Sequence, residues 1–257
     1  MREPVSIRRD PRGVATVSIN NAAKANRLDM ETMQAFVASV SALGEDPALR
    51  VLVVTGEGDR AFMGGANLFE LGALNPTTAR AFITEVHRMS QVLRDLPVPV
   101  IARVNGWSLG AGLEVMAACD MRVAADHAMF GMPEVKVGLP SVVEAALLPQ
   151  LIGWGRTKIL LYTAENIDAA TAFQWGLVEK IVPAADLDAA VAQWVDAIVA
   201  AGPRAIRLQK ELIREWEAMP VNDGIQAGIR SFVRAYETDE PARSIGAAIA
   251  RLRVRPG

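Results

Sequence analysis

The sequence predicts an α/β protein. Apolar, β-branched runs alternate with helix-spaced segments through the first two thirds of the chain, and after Pro183 the spacing is almost wholly helical. Two glycine-rich turns each follow a strand-like run and open a helix. A chain of 257 residues has the length for one large domain with a small appendage. The break near Pro183 divides it into a core of residues 1–183 and a helical region of residues 184–257.

Residues 5–20 have the pattern of a β-hairpin: Val5 and Ile7, then Val14 and Thr16, alternate around Asp10-Pro11-Arg12-Gly13, with Ala15, Val17 and Ile19 on the opposite face. Residues 28–43 have helical spacing, with Asp29 as the cap. Residues 51–55 form a short buried strand that ends at Gly56-Glu57-Gly58. Gly64-Gly65 makes a tight turn into a helical patch at 66–71. Asn75-Pro76-Thr77 opens a helix with the stripe Ala79, Phe82, Ile83, Val86, Met89 and Leu93. The strand at 98–104 stops at Asn105-Gly106; small residues follow (Ser108, Gly110, Ala111, Gly112), then an apolar helical run. Another strand spans 121–124, and helices follow at about 186–199, 203–217, 221–236 and 241–252.

The bulk numbers narrow the function. A hydrophobic content of 51% with 22% charged residues excludes wholesale disorder. A net charge of −2 gives no electrostatic case for nucleic acid. The single cysteine, Cys119, excludes an internal disulfide and fits a reducing compartment. The charged start MREPVSIRRD is unlike a signal peptide, and no apolar run approaches a membrane span of about 18 residues. The expected location is the cytoplasm.

The chemistry lies in the two glycine-rich turns, residues 61–68 and 105–114. A strand that feeds such a turn into a helix exposes backbone N–H groups at the positive end of the helix dipole. If the turns face each other, each supplies one N–H to a single carbonyl oxygen, worth roughly 3–4 kcal/mol per donor as negative charge develops there. Glu114 stands alone among Leu113, Val115, Met116, Ala117 and Ala118, and a buried carboxylate needs a partner or a raised pKa. Glu134 sits in a loop punctuated by Gly131 and Pro133. Two carboxylates at one site divide labour, one as base toward water and one as acid toward carbon.

Other signals have plainer explanations. Ser141-x-x-Glu144 has the pattern of a capping box. His87 falls off its helix's apolar stripe and His127 lies in a polar turn; both are expected at the surface, and no metal site is expected. Gly106-Trp107-Ser108-Leu109-Gly110 matches a nucleophile elbow, but only His127 follows it, where an acid and then a histidine are needed. Gly110-x-Gly112 is followed by Val115 where a dinucleotide fingerprint needs its third glycine. Cys119 is expected to be a packed small residue.

The chain resembles the crotonase (enoyl-CoA hydratase/isomerase) superfamily in Lys24-Ala25-Asn26, in residues 61–68, 104–120 and 130–140, and in residues 169–183 with their core Trp175-Gly176-Leu177-Val178. The central motif, N-G-x-x-x-G-x-G-x-E followed by Cys119-Asp120, is the most specific part. The resemblance implies a spiral of ββα units with a C-terminal helical trimerisation region, assembled as a trimer or a dimer of trimers. It implies an acyl-CoA thioester as substrate, with coenzyme A part of that substrate and no separate cofactor. By the same resemblance Ala66 and Ala111 carry the oxyanion-hole N–H groups, Glu114 activates water and Glu134 supplies a proton. Lys24, Ala25, Gly64, Asn67, Leu68 and Gly110 would contact the substrate, with the adenine end near Lys24, Ala25 and Gly64.

The chain departs from the common pattern in several places. Many hydratases have three successive glycines where this chain has Gly110-Ala111-Gly112; alanine still offers its N–H. Asn67 stands where an acid often follows the first hole residue. Leu139-Pro140-Ser141-Val142-Val143-Glu144 replaces a proline- and glycine-rich run that would line the acyl pocket, and the basic C-terminal ending is also unlike the family. The implied reaction is hydration of a trans-2-enoyl-CoA. Double-bond isomerisation, thioester hydrolysis and C–C cleavage stand beside it, as does a non-catalytic acyl-CoA-binding or assembly protein.

Overall fold

The structure, a computed structural model, describes residues 3–254. Residues 1–2 and 255–257, on which the readings of the charged start and the basic ending partly rest, lie outside the described residues. The chain opens with the expected hairpin, β1 (Val5–Arg9) antiparallel to β2 (Val14–Ile19), and α1 (Met30–Gly44), whose cap Asp29 accepts from the Thr32 N–H.

A three-part pattern then repeats. Each turn lays one strand in a six-stranded sheet and one in a four-stranded sheet, and then forms a helix. The first turn is β3 (Val51–Gly56), β4 (Ala61–Met63), α2 (Leu68–Gly72) and α3 (Pro76–Asp95). The second is β5 (Val100–Val104), β6 (Trp107–Leu109) and α4 (Ala111–Ala117). The third is β7 (Met121–Ala125), β8 (Met129–Gly131), two 3-10 turns at Glu134–Val137 and Val143–Leu147, and α5 (Leu148–Thr163). After β9 (Ile167–Asp168), α6 (Ala169–Trp175) and β10 (Lys180–Val182), the sheets read β1-β2-β3-β5-β7-β10 and β4-β6-β8-β9. Successive turns stack in parallel, which makes the fold a spiral of ββα units.

The six-stranded sheet is covered on both faces, as parallel sheets require. Alternation sends Ala15, Val17, Leu52, Val54, Ala102 and Val104 into the main core with Phe36, Met89 and Leu93, and sends Val14, Val51, Val53, Ile101 and Val123 to the other face. There they meet Leu187, Ala190, Val191 and Val195 of α7 (Leu187–Ala200). This helix lies beyond the sequence break near Pro183 yet closes the sheet. α8 (Pro203–Trp216), α9 (Val221–Ala235) and α10 (Glu240–Val254) follow. α8 is tied to the body by Lys210, whose Nζ lies 2.6 Å from Asp120 Oδ1. Trp216, Val221, Ile225, Ile229, Phe232 and Val233 leave a broad apolar face exposed.

The bend from β5 to β6 rests on Asn105. Its buried Nδ2 donates to the carbonyls of Gly56 (3.0 Å), Gly58 (2.6 Å) and Ala61 (3.1 Å), fastening this bend to the β3–β4 bend. Asn26 adds donations to Glu57 O (2.9 Å) and Ala61 O (2.7 Å). These side chains replace the ladder hydrogen bonds that the backbone loses when it leaves one sheet for the other. Asn105→Ala is expected to lower stability by about 2 kcal/mol, because the buried Gly56 carbonyl and the Gly58 carbonyl lose the amide donor while Ala61 O keeps Asn26; urea unfolding followed by circular dichroism checks it.

Candidate active site

Three short strands bring the site together. β4, β6 and β8 run parallel as neighbours, so the segments after them leave the sheet at the same edge. After β4 comes Gly64-Gly65-Ala66, after β6 Gly110-Ala111, and after β8 Met132-Pro133-Glu134. A cavity of about 300 Å³ opens at that edge, and Ala66, Ala111, Glu114 and Glu134 all border it. Clefts beyond the carboxyl ends of parallel strands are the usual ligand sites of α/β folds.

Among the described residues, the N–H groups of Ala66 and Ala111 make no hydrogen bond within the chain. Ala111 is the first residue of α4, where a helix leaves its N–H without an internal partner. Ala66 forms an isolated bridge with Leu28 that uses the flanking groups: Leu28 N–H donates to Gly65 O (2.8 Å) and Asn67 N–H to Leu28 O (2.7 Å). The two glycines around Ala111 are demanded by space and backbone. Gly110 has φ 51° and ψ −123°, and a Cβ there would collide with the Glu134 carboxylate. A Cβ on Gly112 would collide with the Met63 carbonyl at the end of β4. Ala111 between them meets neither restriction, so the substitution within the glycine run leaves the turn intact.

Glu114 is 4% exposed on α4, and its Oε1 accepts from the Ala145 N–H at 3.2 Å. Burial, then the negative charge of Glu134, pushes its pKa up to about 8, while the Ala145 N–H acts in the opposite direction. Glu134 is half-buried at the start of its 3-10 turn, and its Oε2 accepts from Ser141 Oγ at 2.7 Å. The two acids that the sequence singles out therefore share one cavity.

One sequence expectation is corrected here. Ser141 and Glu144 form no capping box: Ser141 spends its hydroxyl on Glu134, and Val142, without a side-chain cap bond, begins the following 3-10 turn. Glu144 is buried, and its Oε1 lies 2.7 Å from His87 Nδ1. His87 lies at the surface as expected, and its half-exposed ring meets this buried carboxylate. His127 does lie at the surface, with Nε2 3.0 Å from Asp59 O. Ser108 is buried and donates to Gly112 O (3.2 Å), and burial pushes the Cys119 thiol up to about 12. Neither is poised as a nucleophile.

Of the residues expected to contact substrate, Gly64, Leu68 and Gly110 border the cavity, and Lys24, Ala25 and Asn67 do not. Ala25 adopts the left-handed conformation and its carbonyl accepts the Gly64 N–H (2.9 Å), which sets exposed Lys24, Ala25 and Gly64 side by side. Leu68 is 63% exposed and borders the cavity, as does Gly110. Asn67 is buried and turns its Oδ1 to the Phe69 N–H (3.1 Å), capping α2. Further walls come from Phe82, Ile83 and Val86 of α3 and from the exposed Leu139, Pro140 and Val142. The stripe of α3 was legible as an apolar face, but nothing in the sequence distinguishes a core stripe from a cavity wall. The Ala145 N–H carried no signal, because its role depends on a fold-back of 31 residues onto Glu114, and Ser141 carried only the signal of a capping box. Among the described residues, no group of three His, Cys, Asp or Glu side chains is placed to hold a metal ion, and no helix is long and apolar enough to cross a membrane.

Known proteins share this architecture. The family model described as enoyl-CoA hydratase/isomerase matches residues 9–249. The crotonyl-CoA hydratase of Syntrophomonas wolfei is 33% identical over 239 residues, covering 93% of this chain and 92% of the relative. The short-chain-enoyl-CoA hydratase of Clostridium acetobutylicum is 30% identical over 242 residues, covering 94% and 93%. The crystal structure of an enoyl-CoA hydratase from Bacillus anthracis superposes with a TM-score of 0.93 at 30% identity, covering 96% of both chains. The match spans the whole ββα spiral and the helices that follow it, and the chain belongs to the enoyl-CoA hydratase/isomerase (crotonase) family.

Proposed function

We propose that this chain is an enoyl-CoA hydratase, a hydro-lyase that adds water reversibly to a trans-2-enoyl-CoA to give the 3-hydroxyacyl-CoA. The observation that carries this reading is that Glu114 and Glu134 border the same cavity as the N–H groups of Ala66 and Ala111. Glu114, as carboxylate, takes a proton from water while the water oxygen bonds to C3. The C2–C3 π electrons move toward the thioester, whose oxygen becomes an enolate held by the two N–H groups. Glu134 delivers a proton to C2, the enolate collapses, and the proton on Glu114 restores Glu134 through the next water. The donors are fixed before charge develops, so little reorganisation is needed in the transition state.

Coenzyme A enters as part of the substrate, its adenine end beside Lys24, Ala25 and Gly64, with Asn67, Leu68 and Gly110 along the thioester arm. The walls from Phe82, Ile83, Val86 and Leu139 suit an apolar acyl chain. No separate cofactor takes part. Residues 1–183 carry the chemistry, and the helical region at 184–257 assembles a homotrimer or a dimer of trimers through the apolar face around Phe232. The single cysteine favours a cytoplasmic location.

Incubation with crotonyl-CoA and longer enoyl-CoAs, read by product mass, is expected to show the gain of one water; unchanged mass on every substrate overturns the reading. Glu114→Gln and Glu134→Gln are each expected to lower kcat by about 10²–10⁴-fold with little change in KM. In the unliganded enzyme kcat/KM should rise with pH toward about 8, as the buried Glu114 becomes a carboxylate able to accept a proton. Stability should move the other way. A folded-state pKa of about 8 against 4.5 unfolded means the folded protein holds the extra proton, so stability is lost as pH rises between those values. Glu114→Gln should therefore raise Tm by a few degrees at pH 8 and bring no gain near pH 4.5, as scanning calorimetry would show. Light scattering is expected to find a trimer or hexamer that Phe232→Glu dissociates.

A further inference from the structure

Glu144 has no place in the scheme above, yet it is buried. Its side chain is 8% exposed, its Oε1 is 2.7 Å from His87 Nδ1, and its Oε2 has no hydrogen-bond partner. It does not border the cavity shared by Glu114 and Glu134. A carboxylate so placed is costly unless it is tied to something.

The turn that carries it explains the tie. Ala145 N–H donates to Glu114 Oε1 at 3.2 Å, and the Val142 backbone lies near enough to the same carboxylate to favour its charged form. Between them Val143 has φ 38°, the left-handed region that a β-branched residue avoids. Such a conformation persists only where its surroundings over-determine it. Val143 and Leu147 pack against the main core, and among the described residues the sole side-chain bond from the turn to another element is Glu144 to His87 on α3.

We propose that His87 and Glu144 form a clamp that holds the strained turn at residues 142–145 where its backbone grips the Glu114 carboxylate, which makes both of them positioning residues for that acid. The charged groups facing this arrangement are few. His87 faces Glu144 from α3, where neighbouring Glu85 and Arg88 pair with each other at 3.2 Å. Glu114 faces it from α4, with Glu134 beyond. Leu148 and Ile152 of α5, in the adjoining core, carry no charge. Releasing the clamp frees the turn, withdraws the backbone donors, and leaves the Glu114 carboxylate harder to form.

The kinetic readout rests on the hydratase reading; a carboxyl titration does not. In His87→Ala, KM for crotonyl-CoA should stay within about twofold while kcat falls about tenfold, the scale of loss when a reacting group is misplaced. The acid limb of kcat/KM should move to higher pH by roughly half a unit or more. His87→Gln, which still donates to Glu144, should recover most of kcat. Glu144→Gln keeps an acceptor for His87 and removes a negative charge near Glu114, so the limb should move to lower pH. The clamp is overturned by His87→Ala with kcat within about twofold of the parent and an unmoved limb, by a Glu144→Gln limb that moves upward, or by an activity loss that merely follows the folded fraction. A ¹³C-carboxyl NMR titration of Glu114 in the parent and in His87→Ala reads the same displacement without turnover. An upward shift in a parent inactive on every enoyl-CoA sinks the hydratase reading and leaves the clamp. No shift in an active parent sinks the clamp alone.

Discussion

The site depends on the parallel pairing of β4, β6 and β8, strands of three residues each. Strands this short add little stability by their own hydrogen bonds; their importance is directional. Because each pairs in parallel with the next, everything that follows them leaves at one edge, and the chain delivers Ala66, Ala111 and Glu134 to one cavity from positions 45 and 23 residues apart. Had any pair been antiparallel, one of the three would have emerged at the opposite end. The bends that step the chain between sheets must therefore be rigid, which is why buried Asn105 and Asn26 spend their amides on the same few carbonyls.

The geometry also concentrates electrostatic cost. Glu114, Glu134 and Glu144 sit close enough that the latter two both raise the pKa of the first. The chain offsets this only in part, with single donations from Ala145 and Ser141 and the His87 contact. A site built for stability would place a leucine at 114. In the proposed reaction a carboxylate there takes up a proton from water, and the same burial that sharpens its basicity takes stability from the fold as pH rises from 4.5 to about 8.

Much of this was legible in the sequence, and the reason is periodicity. The hairpin, α1 with its Asp29 cap, the stripe of α3 and the four C-terminal helices each repeat a pattern over enough residues to be read. β6 was hidden because three residues, Trp107 to Leu109, have no period, and their glycine-rich surroundings read as a turn feeding directly into a helix. α5 lay unread because Gly153 and Gly155 interrupt its stripe and Gly153 leaves helical geometry altogether. At the site, Glu114 and Glu134 stood out as lone acids in apolar or punctuated segments. Ser141 and Glu144 misled because their spacing satisfies a local rule while their side chains answer to Glu134 and His87.

Those partners show where reaction specificity resides in this architecture. In the proposed reaction the donors are the N–H groups of Ala66 and Ala111, which belong to the backbone, so side-chain changes such as the alanine at 111 leave them in place for any thioester reaction that makes an enolate. Side chains alone decide what happens next to the acyl chain. Glu114 is held from behind by the turn at 142–145, and Glu134 is held by Ser141 of the same segment, so one stretch of seven residues, 139–145, sets the orientation of both acids. That stretch also supplies Leu139, Pro140 and Val142 to the cavity wall. Acyl preference and proton placement are thereby coupled: a change that reshapes the wall moves the backbone that aims the acids. In this chain the segment departs from the proline- and glycine-rich run common in hydratases, and it fixes the acids with a serine hydroxyl, two backbone contacts and a strained valine instead.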